Sequence, residues 1–457
     1  MILDGSEKFC NSDAKTVLFV AYHFPPSAEV GALRTQKFVK YLPETGWKPF
    51  VLTVRDKYYP NKDFARLQDV EGIEICRTAF WRTPLQFIAI LKNYVTQHFL
   101  QSRNTDIIEQ PRSEAEIIKQ MSNFKRFVVS LNWFPDDKLH WFIPGLYKGW
   151  RLVRNKRISI IVVSAPPHSS IILALFLSII TKTKLIVDFR DPWILPHYGQ
   201  EESFKPKVLL ALERLIQNLV LRHSSKVVVT NDYFKSAMLV SQSFLSAHKL
   251  HVVHNGFDPN DFPAAPLDMR SDTFIISYIG TFYLQRTPNI FFTALSAFMN
   301  ERQLSSDDVE VRLVGDTNNA VGQSVASMIQ QHGLEDVVTL MGKVEYSRAL
   351  ELMCLSSLLL LLAPNQPYQI PAKTYEYMAS GRPILLLTED GATASLVEQM
   401  GCGIAVNPED IVGIKDALYR LYDDFQNQTQ QFVCDASQFE RRNQAHVLAG
   451  ILGEVNA

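Results

Sequence analysis

Short runs of β-branched and other apolar residues alternate with amphipathic stretches along most of this chain, and that rhythm restricts the fold more than any other property. TVLFVAY (16–22) reads as a strand, GALRTQKFVKYLPETG as a helix and PFVLTV (49–54) as a second strand. The pattern resumes with ISIIVVSA (158–165), the apolar stretch SSIILALFLSII, KLIVDF (184–189), KVLLALERLIQNLVLRHS and KVVVTN (226–231). Alternation of this kind predicts parallel strands linked by helices that cover both faces of a sheet.

The segment 255–273, NGFDPNDFPAAPLDMRSDT, is rich in proline and glycine and lacks periodicity, so it marks a boundary. Beyond it the alternation restarts with FIISYIG, TPNIFFTALSAFMNE and VEVRLVG. It continues through AVGQSVASMIQQHG, VVTLMG, SRALELMCLSS and LLLLLAP, and ends with PAKTYEYMASG, PILLLT, ATASLVEQMG and GIAV. The expectation is an α/β protein of two Rossmann-like domains in tandem, 1–264 and 265–434, and a last helical segment over 435–457 that crosses back to the first. Residues of about 81–150 fit the rhythm poorly and read either as helices that wrap the sheet or as an insertion, with LQFIAILKNYVTQHFLQ as an amphipathic helix.

At 457 residues with 47% hydrophobic and 20% charged composition, the chain can bury more than one core without covalent staples. Its five cysteines are scattered without a CxxC pair, which argues against a disulfide framework and a structural zinc site. Neither a signal peptide nor a membrane span is expected: the longest apolar stretch, 171–180, is too short to cross a bilayer and reads as a buried helix. A cytoplasmic protein is the expectation. The net charge of −1 conceals an asymmetry, because 1–264 carries 34 Lys and Arg against 24 Asp and Glu, and 265–457 carries 12 against 23. A basic first half could meet an anionic membrane or a phosphorylated acceptor. Its dispersed charges and lack of a recognised motif disfavour nucleic acid.

Ligands of parallel α/β sheets bind beyond the carboxyl ends of the strands, so the residues after each apolar run matter most. No GxGxxG follows the first strand and no GxxxxGK[ST] occurs. After the first strand, YHFPPSAEVGALR places Gly31 where backbone can approach a ligand and Arg34 one turn into a helix. SAPPHSS places His168 at a helix entrance, and VDFRDPW puts Asp188, Arg190 and Asp191 at a strand end, where charges must pair or meet a polar ligand. In the second half, YIGTFYLQR offers Gly280 and Arg286.

IPAKTYEYMASGRP starts a helix at Pro371, leaving the N–H groups of Ala372, Lys373 and Thr374 outside the helical ladder. A cationic Lys373 there completes the combination expected of a phosphate site. Glu376, on the same face, either pairs with Lys373 at the surface or accepts the two hydroxyls of a ribose.

These residues, in this order, resemble the retaining nucleotide-sugar-dependent glycosyltransferases of the GT-B fold, the large group 1, family 4-like set of bacterial polysaccharide and lipid-linked sugar transferases. FPPSAEVGALR, SAPPHS, DFRDPW, VVHNGFD, YIGTFYLQR, VRLVGD, VVTLMGKV, IPAKTYEYMASGRPIL and GCGIAV carry the resemblance over nearly the whole chain. It implies a donor of the UDP- or GDP-sugar type bound by the second domain. Arg286 and Lys373, with Thr374 and Gly280 beside them, would take the diphosphate, Glu376 the ribose, and the backbone from Gly342 to Val344 the base. Gly31 would close over the phosphates. His168 and Asp191 would serve the acceptor as catalytic groups, with Arg34 and Arg190 on the same side; no metal or separate cofactor is implied. Many members carry two glutamates seven residues apart, and the place of the first is Tyr368 here, so a sugar contact differs.

The implied reaction moves a sugar to a glycan or lipid-linked acceptor hydroxyl with retention, in surface polysaccharide, glycolipid or related glycan synthesis. A nucleotide-sugar epimerase of the same architecture and a non-catalytic scaffold are the alternatives.

Overall fold

The computed structural model describes residues 15–81, 130, 134–195, 205–263, 272–283, 285–429, 432 and 434–457. The N-terminal segment, LQFIAILKNYVTQHFLQ and 264–271 of the boundary segment lie outside the described residues. The chain divides into two compact units, 1–229 with 238–251 and 445–457, and 230–237 with 252–444.

In the first unit, β1 (Lys15–Val20), helix α1 (Val30–Tyr41), β2 (Trp47–Val54) and β3 (Glu74–Thr78) come first. Helix α2 (Phe142–Lys156), β4 (Ile160–Ala165), α3 (Ser169–Thr181), β5 (Lys184–Phe189) and α4 (Lys207–His223) follow. Then come β6 (Lys226–Val229), α5 (Asp232–Ser241) and β7 (Leu250–Val252). The strands form one sheet in the order β3-β2-β1-β4-β5-β6-β7, parallel where β1 meets β2 and β4. The order reverses between β1 and β4, and such a switch point opens a crevice at the carboxyl ends of the two strands. FPPSAEVG and APPHSS are the loops that leave those ends.

One reading changes here. Helix α3 buries Ile171, Leu173 and Leu177 but leaves Phe176, Ile179 and Ile180 exposed, so its apolar stretch is not buried all round. Helix α2, which begins within 81–150, packs on α3 and on the sheet strands β2 and β3.

The second unit runs from β8 (Phe274–Ile279) through α6 (Asn289–Arg302) and β9 (Val309–Val314) to a hairpin, β10 (Asn319–Ala320) and β11 (Gln323–Ser324). Next are α7 (Val325–Gln331), β12 (Val338–Gly342), α8 (Tyr346–Cys354) and β13 (Leu358–Leu362). Helix α9 (Ala372–Ala379), β14 (Ile384–Leu387), α10 (Ala392–Met400), β15 (Gly403–Val406) and α11 (Ile411–Gln426) complete it.

Its sheet order, β12-β9-β8-β13-β14-β15, reverses between β8 and β13. The run LLLLL of β13 serves both faces: Leu358, Leu360 and Leu362 join one core, Leu359 and Leu361 the other. A strand covered on both sides has no reason to alternate with polar residues.

AVGQSVASMIQQHG is not one helix. Val321 and Gly322 both have positive φ, 49° and 75°, the backbone of a two-residue hairpin turn that matches strand twist. Helix α7 starts only after Ser324, whose hydroxyl accepts from the Ser327 amide. The closing helix α12 (Arg441–Asn456) begins in the second unit, where the Arg441 amide bonds the Phe257 carbonyl at 2.8 Å. Its residues from Ala445 onward belong to the first unit, where Glu454 pairs with Lys226 at 2.6 Å.

Candidate functional site

At the switch point of the second sheet, β8 ends in Ile279, and the loop that starts with Gly280 reaches Arg286. Strand β13 leads through a turn at 364–368 into α9. Arg286 is buried, its Nη2 donates to Oε1 of Gln366 at 3.2 Å, and its guanidinium lies 4.1 Å from the Tyr283 ring centroid. Its Nε is buried with no partner among the described residues.

Lys373, half-buried on the first turn of α9, places Nζ 3.7 Å from the Tyr278 ring centroid and donates to the Ile279 carbonyl at 3.2 Å. Burial, and then the charge of Arg286, hold its pKa well below the ordinary lysine value, and Glu376 opposes them. Among the described residues, neither cation forms a salt bridge: their hydrogen bonds go to a neutral amide and a backbone carbonyl.

Pro371 occupies the N-cap position of α9 with φ −53°, and no side chain caps that terminus. The Thr374 amide, expected to lie outside the ladder, donates to the Pro371 carbonyl at 2.9 Å, so the N–H groups of Ala372 and Lys373 are the ones that concentrate positive potential at this end. Thr374 is fully buried with its Oγ1 unpartnered among the described residues. Glu376 accepts a hydrogen bond from the Tyr346 hydroxyl at 2.8 Å. Its burial raises its pKa, and the Tyr346 bond and the charge of Arg441 draw it back.

Two glycines keep backbone close here. A Cβ on Gly315 (φ 118°) would stand 2.1 Å from the Gly280 carbonyl oxygen, and one on Gly280 (φ 147°) would meet Lys373 Nζ at 3.0 Å. Gly315→Ala therefore meets both backbone strain and a clash with main chain; it should destabilise the second unit by about 3 kcal/mol, read as a lowered denaturant midpoint. Gly342, at the end of β12 with φ 67°, accepts from the Gly315 amide at 2.7 Å, and Val344 packs against the core near Tyr346. Tyr368 sits in the turn before α9, with its carbonyl accepting from Asn231 Nδ2 at 2.9 Å.

In the first unit, Arg190 is a hub for three of the candidate residues. A Cβ on Gly31 would lie 2.2 Å from Arg190 Nη1, so only a glycine lets the guanidinium lie against the start of α1. Arg190 also donates to the Pro166 carbonyl. Burial lowers its pKa, which Asp191 and then Asp188 oppose; burial, and after it the charges of Lys205 and Arg190, depress His168, whose pKa falls to about 3. The imidazole stacks on Trp193 with centroids 4.7 Å apart and planes 5° from parallel. Its Nδ1 is buried and without a partner among the described residues.

Arg34 lies close enough to repel Arg190 but has a partner of its own. It is 2% exposed, and its Nε and Nη2 bond Asp188 at 2.9 and 2.8 Å, while Ser164 donates to the same carboxylate at 2.9 Å. Arg34 thereby ties α1 to β5 and has its fork committed to a carboxylate.

Tyr278, Tyr346 and Gln366 were not singled out from sequence. A tyrosine in FIISYIG reads as core, and the one available signal was its place two residues before Gly280 at a strand end.

Two tandem parallel-sheet α/β domains, each with its sheet order reversing at the loops that hold these residues, define the GT-B glycosyltransferase class. Solved structures share the arrangement: HepE of Anabaena in complex with UDP (TM-score 0.57, 16% identity, covering 96% of this chain and 97% of that one) and sucrose-phosphate synthase of Thermosynechococcus elongatus (0.59, 15%, 97% and 98%). A TarM mutant of S. aureus, in complex with UDP, fondaparinux and α-GlcNAc-glycerol, matches at TM-score 0.57 and 12% identity over 97% and 100%. No curated protein matches the sequence significantly. With a glycosyltransferase 4-like domain matched over residues 125–256 and a glycosyl transferases group 1 domain over 273–424, the chain belongs to the group 1, 4-like glycosyltransferases.

Proposed function

We propose that the protein transfers a sugar from a nucleoside diphosphate sugar, of the UDP or GDP type, to an acceptor hydroxyl with retention of anomeric configuration. The observation that carries this reading is the pair Arg286 and Lys373: two mutually repelling cations bonded only to uncharged acceptors, at an uncapped helix N-terminus. Such an arrangement suits a diphosphate. The UDP bound to HepE and TarM supports the same donor class.

Breaking the bond between the anomeric carbon and the diphosphate leaves an oxocarbenium-like sugar and negative charge on the departing phosphate. Arg286, Lys373 and the α9 amides would stabilise that charge, with Gly280 and Thr374 leaving room for the phosphates. Glu376, oriented by Tyr346, would hold the ribose and the 342–344 backbone the base. In the first unit, His168, neutral at pH 7 with an available Nδ1, and Asp191 are assigned to the acceptor hydroxyl. Arg190 positions both, and Gly31 gives it room. A glycan or lipid-linked acceptor, a cytoplasmic location and peripheral contact of the basic half with an anionic membrane complete the proposal.

In a thermal-shift series of nucleoside diphosphates, UDP or GDP should raise the melting temperature of the wild type and leave that of Arg286→Ala unmoved. Lack of response to every nucleotide would count for the scaffold. Product NMR with and without acceptor separates transfer from epimerisation. The depressed Lys373 pKa also sets a pH trend. The diphosphate favours the protonated lysine, so affinity should fall as pH rises through that pKa, below 10.5, and binding there should take up protons. Calorimetry in buffers of differing ionisation enthalpy measures this.

A further inference from the structure

We infer that the first unit lies on an anionic lipid surface through the outer faces of α2, α3 and α4. The inference rests on the proposed membrane contact for its partner and adds the face that makes it. Helix α4 is apolar on two faces, and it buries Leu209, Val220 and Leu221 against its own unit. It turns Glu213 and Gln217 inward, where Glu213 bonds Lys205 at 2.5 Å and Gln217 bonds the Ile194 amide at 3.0 Å. It turns outward Val208, Leu212, Leu215 and Leu219, which are 61, 41, 56 and 50% exposed. Their spacing of four, three and four residues makes one continuous stripe.

Helix α3 packs beside α4 and α2 beside α3, and both extend the apolar surface. Phe176 and Ile179 are exposed on α3, and Phe176 meets Phe142 of α2 edge-on at 5.4 Å. Ile143 and Tyr147 are exposed on α2. Exposed apolar side chains on three helices packed side by side mark an interaction face.

Charge selects the occupant. The exposed ionic residues of these helices include Lys148, Arg151 and Arg154 on α2 and Lys207, Arg214 and Arg222 on α4. Glu213, the one acidic residue in the three helices, points inward. A second copy presenting the same face would bring like charges together. A bilayer with anionic headgroups accepts both components, the leucines at the acyl boundary and the lysines and arginines at lipid phosphates. No helix of the described residues is long and apolar enough to cross a membrane, which is consistent with a face that lies on one.

The test is sedimentation of the full chain with phosphatidylcholine vesicles, with and without phosphatidylglycerol. Wild type should bind the anionic vesicles and release in high salt. Leu212→Glu/Leu215→Glu and, separately, Arg151→Glu/Arg154→Glu should each weaken binding by roughly tenfold or more, with melting temperature and response to UDP unchanged. Because these side chains are exposed, a folded variant is expected, and the second pair serves if the first unfolds. Binding that survives both variants overturns this face but leaves membrane contact standing. No wild-type binding at low salt overturns both, and the nucleotide response still reports separately on the glycosyltransferase reading. A dimer in solution that Leu215→Glu dissociates, without vesicle binding, assigns the face to a second copy and overturns the inference.

Discussion

Lys373→Met should lower kcat/KM by about 100- to 1,000-fold, equivalent to roughly 3–4 kcal/mol of lost transition-state stabilisation, while the protein stays folded. Methionine keeps an apolar stem over the Tyr278 ring, where Nζ now lies 3.7 Å from the centroid, and removes only the charge and its bond to Ile279. That charge is poorly accommodated without an anion, since burial and Arg286 both disfavour it. Lys373→Met should therefore melt at the same temperature as wild type or higher, a separation of stability from activity typical of residues retained for function. It should also lose most of the stabilisation that UDP or GDP confers on the wild type. If activity falls only in proportion to a loss of folded protein, the lysine is structural and its assignment to the diphosphate is wrong.

The second large effect is on stability. Arg34→Met should destabilise the first unit by about 3–5 kcal/mol, because it leaves Asp188, 1% exposed, with the Ser164 hydroxyl and the neighbouring charge of Arg190 but without the two-pronged bond of the Arg34 fork. For a unit of this size the melting transition should fall by roughly 10 °C, with the second unit's response to nucleotide retained. Arg34→Met/Asp188→Leu should recover much of the loss, because the pair's desolvation cost disappears together with its attraction. A single mutant as stable as wild type would show that the carboxylate finds another partner.

How much of this was legible in the sequence depended on how local each signal was. Gly280, Arg286 and Lys373 followed from the rule that ligands meet parallel strands at their carboxyl ends, which needs only the strand assignments. Arg34 followed from the same rule but has its guanidinium on Asp188, 154 positions away, and no local pattern reveals that pairing. Tyr278 was hidden because an aromatic in an apolar strand looks like core, and it is core on one side; its face toward Lys373 is a tertiary fact. The hairpin at Val321 and Gly322 was missed because the surrounding residues satisfy a helical period, and turn conformation overrode it. The exposed stripe of α4 was not legible for a related reason: helical periodicity locates an apolar face, but not which way it points.

Helix α12 gives the two units different dates of completion. The second unit ends at Gln444, but the first includes the last residues, 445–457, and Lys226 waits for Glu454. During synthesis, domains usually finish in chain order. Here the earlier-made unit cannot close these contacts until residues 445–457 emerge, so a chain interrupted near residue 444 would leave the N-terminal unit, not the C-terminal one, unfinished.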